Sequence, residues 1–231
     1  MIPLRDDNPT TLKPVITVGL IMLCTLTFIW QLSLGVRGEA VIQALGVIPA
    51  ALFGSQSLAP EIKQVPAVLT VVTSMFLHGG WMHLIGNMLY LWIFGNNVED
   101  VMGHGRFVLF YLLCGVAAVL AQAVPAPDTT IPMIGASGAI SGVLGAYLLL
   151  YPHARVLVLI PLGTFSRMVY LPAMVVLGFW FLLQLLNILL TNSNQPGVAF
   201  GAHAGGFVAG MLLIPLFKRR EIRLLNPRQQ D

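Results

Sequence analysis

Charge is the scarcest ingredient of this chain. Only 9% of its 231 residues are Asp, Glu, Lys or Arg, where a water-soluble domain carries about 25%. So few charged groups cannot cover a water-facing surface, which excludes a free-standing soluble domain. A mean hydropathy of +0.84 agrees. Acidic residues are fewer still, nine in all, and none falls in the middle of an apolar run. That removes the carboxylate which a Ser-His-Asp triad would need at membrane depth. It also removes the H-E-x-x-H pattern of a zinc hydrolase, and His78 and His83 are five apart, a poor spacing for one helix face. Cysteine is nearly absent: Cys24 and Cys114 both lie in apolar runs and read as small packed hydrophobes, not a disulfide framework. No basic groove interleaved with aromatics exists, so nucleic acid is not an expected partner. No cofactor motif is visible and no metal is expected.

Long apolar runs, in contrast, are abundant. A membrane-crossing helix needs about 20 mostly apolar residues. Six runs approach that length: about Pro14 to Ser33, Trp81 to Asn97, Phe107 to Val124, Ala136 to Tyr151, Val169 to Thr191 and Gly201 to Phe217. The fourth is short. The first is long for the apolar segment of a cleaved leader, and Gln31 to Gly38 offers no clear small-x-small site, so it is expected to remain as a span. Val65 to Leu77 is only 13 residues long and suits a core or interfacial segment better than a crossing. The chain thus reads as a single all-α polytopic membrane domain over 14–217. A tail over 1–13 precedes it, a long membrane-associated loop over 34–80 follows the first span, and a basic tail over 218–231 ends it.

Six spans put both termini on one side. That side would hold ten of the twelve Lys and Arg residues, including Arg106, Arg155, Arg167 and the tail from Lys218; only Arg37 and Lys63 fall on the other. The excess of Lys and Arg predicts that both termini are cytoplasmic, in a bacterial-type inner or plasma membrane, with the tail near anionic lipid headgroups.

Polar residues inside a bilayer are costly, so each is a functional candidate. Gly135-Ala136-Ser137-Gly138 opens the fourth run, with a hydroxyl between small neighbours that let a substrate backbone approach. Ser141 lies one turn on. Position 139 is Ala, so this is not the G-x-S-x-G elbow of soluble hydrolases. Ala202-His203 is followed by Gly206 and Gly210 on one helical face, matching the small-residue stripe of Gly138, Gly142 and Gly145. His203 at such a contact could take a proton from Ser137. His83 and Asn87, four residues apart, share a face and could donate hydrogen bonds to one point. Packing glue, a structural His and a helix-start polar pair are the plainer readings of the three clusters taken singly. Their conjunction is stronger: under the six-span topology all three lie near the starts of inward-running helices, at similar depth toward the extracytoplasmic side.

These residues resemble the rhomboid family of intramembrane serine proteases. The resemblance rests on G-x-S-G (Gly135 to Gly138), A-H-x-x-G-x-x-x-G (Ala202 to Gly210), H-x-x-x-N (His83 to Asn87) and E-x-x-x-G-x-x-R-F (Glu99, Gly103, Arg106, Phe107), in that family's order and spacing across the second to sixth spans. It implies a six-helix bundle with a water-filled cavity, Ser137 as nucleophile, His203 as base, and His83, Asn87 and the Ser137 backbone N–H as oxyanion donors. Glu99 and Arg106 would be structural residues of a cytoplasmic turn. The fifth span and the loop Asn192 to Phe200, with Pro196-Gly197, would gate and cap the site. Where some members carry an aromatic residue one turn after the nucleophile, this chain has Ser141, and Arg37 has no adjacent Trp. The expected activity is cleavage of single-span membrane proteins near the extracytoplasmic interface, at helices weakened by Gly, Ser or Pro. A non-proteolytic client binder, a channel or transporter with His83, Asn87 and His203 lining a polar path (to which Gln184 and Asn187 in the fifth span would add), and a lipid hydrolase with the same dyad are the rival readings.

Overall fold

The computed structural model describes residues 1–56, 65–162, 165–190 and 197–225. Among the described residues, four helices are long and apolar enough to cross a membrane: α1 (Val15–Ser33), α7 (His104–Ala123), α9 (Ala173–Leu190) and α10 (Phe200–Phe217). A fifth crossing is supplied if a bent pair counts as one. Helix α4 (Ala67–Thr73) with its 3-10 turn to Phe76 meets the helical rod Trp81–Met102 at a bend of 81°. That rod is α5 (Trp81–Tyr90), a π-helical turn over Leu91–Gly95, and α6 (Asn96–Met102). Helix α8 (Ser137–Leu150) is apolar but only 14 residues long. The chain is a multi-pass integral membrane protein.

Burial follows from how each helix is solvated. Large side chains on α1 and α9, such as Met22, Leu26, Leu182 and Leu189, face outward, where lipid is their solvent. Helix α8 is buried along nearly its whole length, enclosed by α7 and α10 and touched by α5. Its Gly and Ala residues allow this, because lipid tails supply no hydrophobic drive between helices and close backbone packing must hold them instead. Gly138 and Gly206 meet backbone to backbone, and so do Gly142 and Gly210; a Cβ on either Gly206 or Gly210 would run into a carbonyl of α8. Both partners advance by four residues between these contacts, so α8 and α10 run parallel.

Several boundaries differ from the sequence reading. The tail over 1–13 contains β1 (Ile2–Asp6), which pairs antiparallel with β2 (Arg155–Leu162). β2 in turn pairs with β3 (Phe165–Pro172), making a three-stranded sheet. The fifth run therefore becomes helical only at Ala173, because its first residues, Val169 to Pro172, complete the hairpin. The 34–80 loop holds α2 (Gly38–Leu45), α3 (Pro49–Leu52) and α4. Val65 to Leu77 does behave as a partly buried segment, with Thr70, Val71, Ser74 and Met75 facing inward.

The sheet, α6, the start of α7 and the chain's C-terminal turn gather at one end of the bundle. Thr11 and Leu12 donate to the Asp100 carboxylate, and the Arg219 guanidinium donates to the Asp100 carbonyl at 2.8 Å. The Glu99 side chain, fully buried, accepts from the Ile16 and Thr17 backbone N–H groups, the Thr17 hydroxyl and His104 Nδ1, at 2.6 to 2.9 Å. It thus satisfies the orphan donors of the first turn of α1, where a negative charge is also favoured. Gly103, with φ +79, ends α6 in the left-handed region and turns the chain into α7. Glu99 and Gly103 of the E-x-x-x-G-x-x-R-F motif are therefore scaffold residues in this fold. Arg106 is exposed and makes no hydrogen bond or ion pair among the described residues.

Candidate active site

At the opposite end, the starts of α5, α8 and α10 converge. Ser137 is the first residue of α8. The opening N–H groups of a helix have no intrahelical acceptor, so the Ser137 N–H is available to a ligand. The turn before it is constrained: the Gly135 N–H donates to the Ser74 carbonyl at 2.9 Å. Gly135 itself has φ +119, and a Cβ there would stand 2.7 Å from His83 Nε2. No residue but glycine fits both the dihedral and the space.

His83 reaches this turn from α5. The Gly79 N–H donates to His83 Nδ1 at 3.3 Å. That leaves the ring proton on Nε2, the atom turned toward Gly135, so His83 presents a donor there. Asn87, one turn on, comes close to the same glycine through its Nδ2. One Asn87 amide hydrogen is directed at His78 Nε2, 3.1 Å away, while His78 Nδ1 lies 3.3 Å from the Phe76 carbonyl. One pattern satisfies both contacts: Nδ1–H donates to Phe76 and Nε2 accepts from Asn87. The second Asn87 amide hydrogen remains free. Gln31 of α1 brackets the His78 backbone, accepting from its N–H at 3.1 Å and donating to its carbonyl at 3.3 Å. His78 is 1% exposed.

His203 stands on α10, one turn before the Gly206 contact with α8. Its Nδ1 lies 2.9 Å from Gln184 Oε1 of α9. The Gln184 Nε2 donates to the Trp180 carbonyl at 3.0 Å, so the amide is oriented with its oxygen toward the ring. Nδ1 therefore carries the proton and Nε2 has a free lone pair. The Trp180 ring lies 5.8 Å from His203, tilted by 34°. It supplies the aromatic neighbour that position 141 lacks. Ser141 itself donates to the Ser137 carbonyl at 2.6 Å, an ordinary helix back-bond.

The structure thus brings Gly135, Ser137, Gly138, His83, Asn87 and His203 to one end of the bundle, with Gly206 and Gly210 forming the seam beneath. Ser137 Oγ makes no hydrogen bond among the described residues, His203 included. Gln184, Trp180, His78 and Gln31 were not among the residues singled out for the site. Gln184 was legible as a polar residue inside an apolar run, but its partner lies 19 positions away on another helix. Pro196 and the loop residues 191–196 lie outside the described residues; among those described, no group of His, Cys, Asp and Glu could hold a metal ion.

A buried helix beginning at a serine, a histidine with a free ring nitrogen on the adjoining parallel helix, and side-chain donors close to the preceding turn thus meet at one end of a membrane-protein bundle. The Rhomboid domain family model matches residues 66–220, and the chain belongs to the rhomboid family. It is 36% identical over 145 residues to Rhomboid protease GluP of Bacillus subtilis (strain 168), a match covering 63% of this chain and 26% of that one. It is 35% identical over 168 residues to the Presenilin-associated rhomboid-like protein A, mitochondrial, of Danio rerio, covering 69% and 43% respectively. RHOMBOID-like protein 5 of Arabidopsis thaliana is 31% identical over 159 residues, covering 68% and 47%. The chain therefore spans less than half the length of each of these relatives.

Proposed function

We propose that this protein is an intramembrane serine endopeptidase of six spans that cleaves single-span membrane proteins with a Ser137–His203 dyad. The observation that supports the reading is the meeting of helix starts at α8: the Ser137 N–H, His83 and Asn87 lie at one backbone turn, and a histidine with a free ring nitrogen stands on the adjoining helix α10.

In this reading the sixth crossing is α8. Fourteen residues at 1.5 Å each make about 21 Å, against a hydrocarbon core of about 30 Å. A central helix so short starts below the membrane surface. Its first residue is then sunk, yet reachable by water through the polar set His83, Asn87 and His203. Both termini are cytoplasmic, since the basic residues of the sheet, α7 and the tail lie at the other end.

The chemistry follows from the hydrogen-bond directions. His203 Nε2 takes the Ser137 proton as Oγ attacks the scissile carbonyl, and Gln184 holds the ring in the tautomer that leaves Nε2 free. The carbonyl oxygen acquires negative charge where the Ser137 N–H, His83 Nε2–H and Asn87 Nδ2–H can meet it. The imidazolium returns its proton to the leaving amine, and water then hydrolyses the acyl-enzyme with His203 again as base. Glu99 is too distant to complete a triad, being committed to the first turn of α1 at the basic end.

The test is cleavage of labelled single-span peptides by the purified protein, beside Ser137→Ala and His203→Ala. Loss of cleavage in both variants supports the dyad, with Gly-containing helices cut faster than poly-Leu ones. Equal cleavage by all three proteins would remove the serine reading, and no cleavage in detergent or vesicles would favour a client binder or transporter.

A further inference from the structure

We infer that the basic end of the bundle carries a binding site for the phosphate group of an anionic phospholipid, built by Arg106, Lys218 and Arg220. These three side chains line one open cavity of about 510 Å³ with Pro215 and Leu216. Among the described residues, none of the three makes a hydrogen bond or an ion pair. The two acids at the end of α6 are engaged elsewhere: Glu99 with α1 and His104, Asp100 with Thr11 and Leu12. Glu221, the next residue after Arg220, is exposed and forms no ion pair among the described residues. Three like charges gathered around one cavity repel one another unless an anion sits between them.

The cluster is held in place by groups other than the three cations. The Arg219 N–H donates to the Val101 carbonyl at 3.1 Å, and its guanidinium to the Asp100 carbonyl at 2.8 Å. The Leu225 N–H donates to the Leu149 carbonyl at 2.7 Å, strapping the tail across the bundle. Lys218 and Arg220, on either side of the tethered Arg219, are thereby set against Arg106 in the first turn of α7. That turn contains no acidic residue, so its dipole adds to the positive potential.

The chemistry of the walls selects a lipid over a soluble phosphate. Leu216 is 77% exposed at the end of α10, and Pro215 precedes it. In a membrane these residues face hydrocarbon at the headgroup boundary. A phospholipid would lay its acyl chain on Leu216 and place its phosphate among the cations, where guanidinium groups bind phosphate oxygens in pairs. The site lies at the far end of the molecule from Ser137 and does not depend on the proposed proteolysis.

The experiment is native mass spectrometry of the full chain released from micelles holding equal amounts of phosphatidylglycerol and phosphatidylcholine. It compares the parent with Arg106→Gln/Lys218→Gln/Arg220→Gln and with Arg5→Gln/Arg155→Gln/Arg167→Gln, which removes the same charge from the same end. The parent and the second variant are expected to retain phosphatidylglycerol in preference, and the first to lose that preference by about ten-fold or more. A large excess of inorganic phosphate should not displace the lipid. Equal loss in both variants would reduce the effect to diffuse surface charge, and no preference in the parent would overturn the site. Displacement by inorganic phosphate would overturn the lipid source. Should the first variant lose its helical circular dichroism, the single variants Lys218→Gln and Arg220→Gln are each expected to weaken retention two- to five-fold or so, and unchanged retention in both would contradict the proposal.

Discussion

Both ends of the bundle bury polar side chains, but they use them differently. At the basic end, Glu99 accepts four hydrogen bonds, Asp100 accepts three, and Tyr147 donates to Asp6 at 2.6 Å. These groups have almost no capacity left. At the other end, the Ser137 hydroxyl and N–H, one ring nitrogen of His203, the Nε2–H of His83 and one amide hydrogen of Asn87 have no partner among the described residues. A saturated polar group in a membrane protein stabilises; an unsaturated one facing a turn that only glycine can occupy is available to a ligand. The contrast separates structural from functional polarity better than burial does, since Glu99 is more deeply buried than Ser137.

The sharpest way to break this contrast is substitution at both ends. Ser137→Ala or His203→Ala should lower cleavage by roughly 10³-fold or more while the melting temperature stays within a degree or two. Glu99→Ala should do the reverse, destabilising the fold by about 3–5 kcal/mol by orphaning the N–H groups of α1, with kcat preserved in whatever fraction remains folded. A catalytic defect in folded Glu99→Ala protein would blur the division. Gly206→Ala tests the seam between the two helices; its methyl group would meet the Gly138 carbonyl, at a cost of about 1–3 kcal/mol, read in thermal melts.

Smaller effects sharpen the picture. Gln184→Leu frees the His203 ring without touching the seam, and should lower kcat by about ten-fold with little change in KM or stability. Gln184→Glu should restore much of the rate and move the acid limb of the pH profile. Asp6 gives the smallest effect. Burial holds its carboxyl above its ordinary value of 3.8, with the Tyr147 hydrogen bond opposing. Its protonated form is thus favoured by folding, and its contribution to stability is present below that value and lost as pH rises through the raised pKa. The stability of the parent relative to Asp6→Asn should therefore fall as pH rises above 3.8, measured as the difference of two melting curves.

Legibility in the sequence followed the range of the interactions. Gly138, Gly142 and Gly145, and Gly206 and Gly210, announce a close helix contact because small residues recur at helical spacing within each segment. His83 and Asn87 are readable for the same reason. What could not be read pairs residues far apart: Gln184 with His203, Gln31 with His78, and Asp6 with Tyr147, 141 positions away. The strand β1 was hidden for another reason. Its five residues show little alternation, and only the β2–β3 hairpin gives them a partner. That hairpin in turn was masked by apolar residues such as Val169 and Leu171, which read equally well as the start of α9.

The central claim is that Ser137 is activated by His203, and it can be tested without any knowledge of the natural substrate. The measurement is intact-mass and peptide-level mass spectrometry after treatment with a fluorophosphonate, which loses fluoride when an activated serine oxygen attacks phosphorus. One adduct is expected, on Ser137, formed by the parent and by folded Glu99→Ala protein, and absent from His203→Ala and Ser137→Ala. Labelling of another serine, such as Ser141 or Ser74, or equal labelling of Ser137 when His203 is alanine, would contradict it.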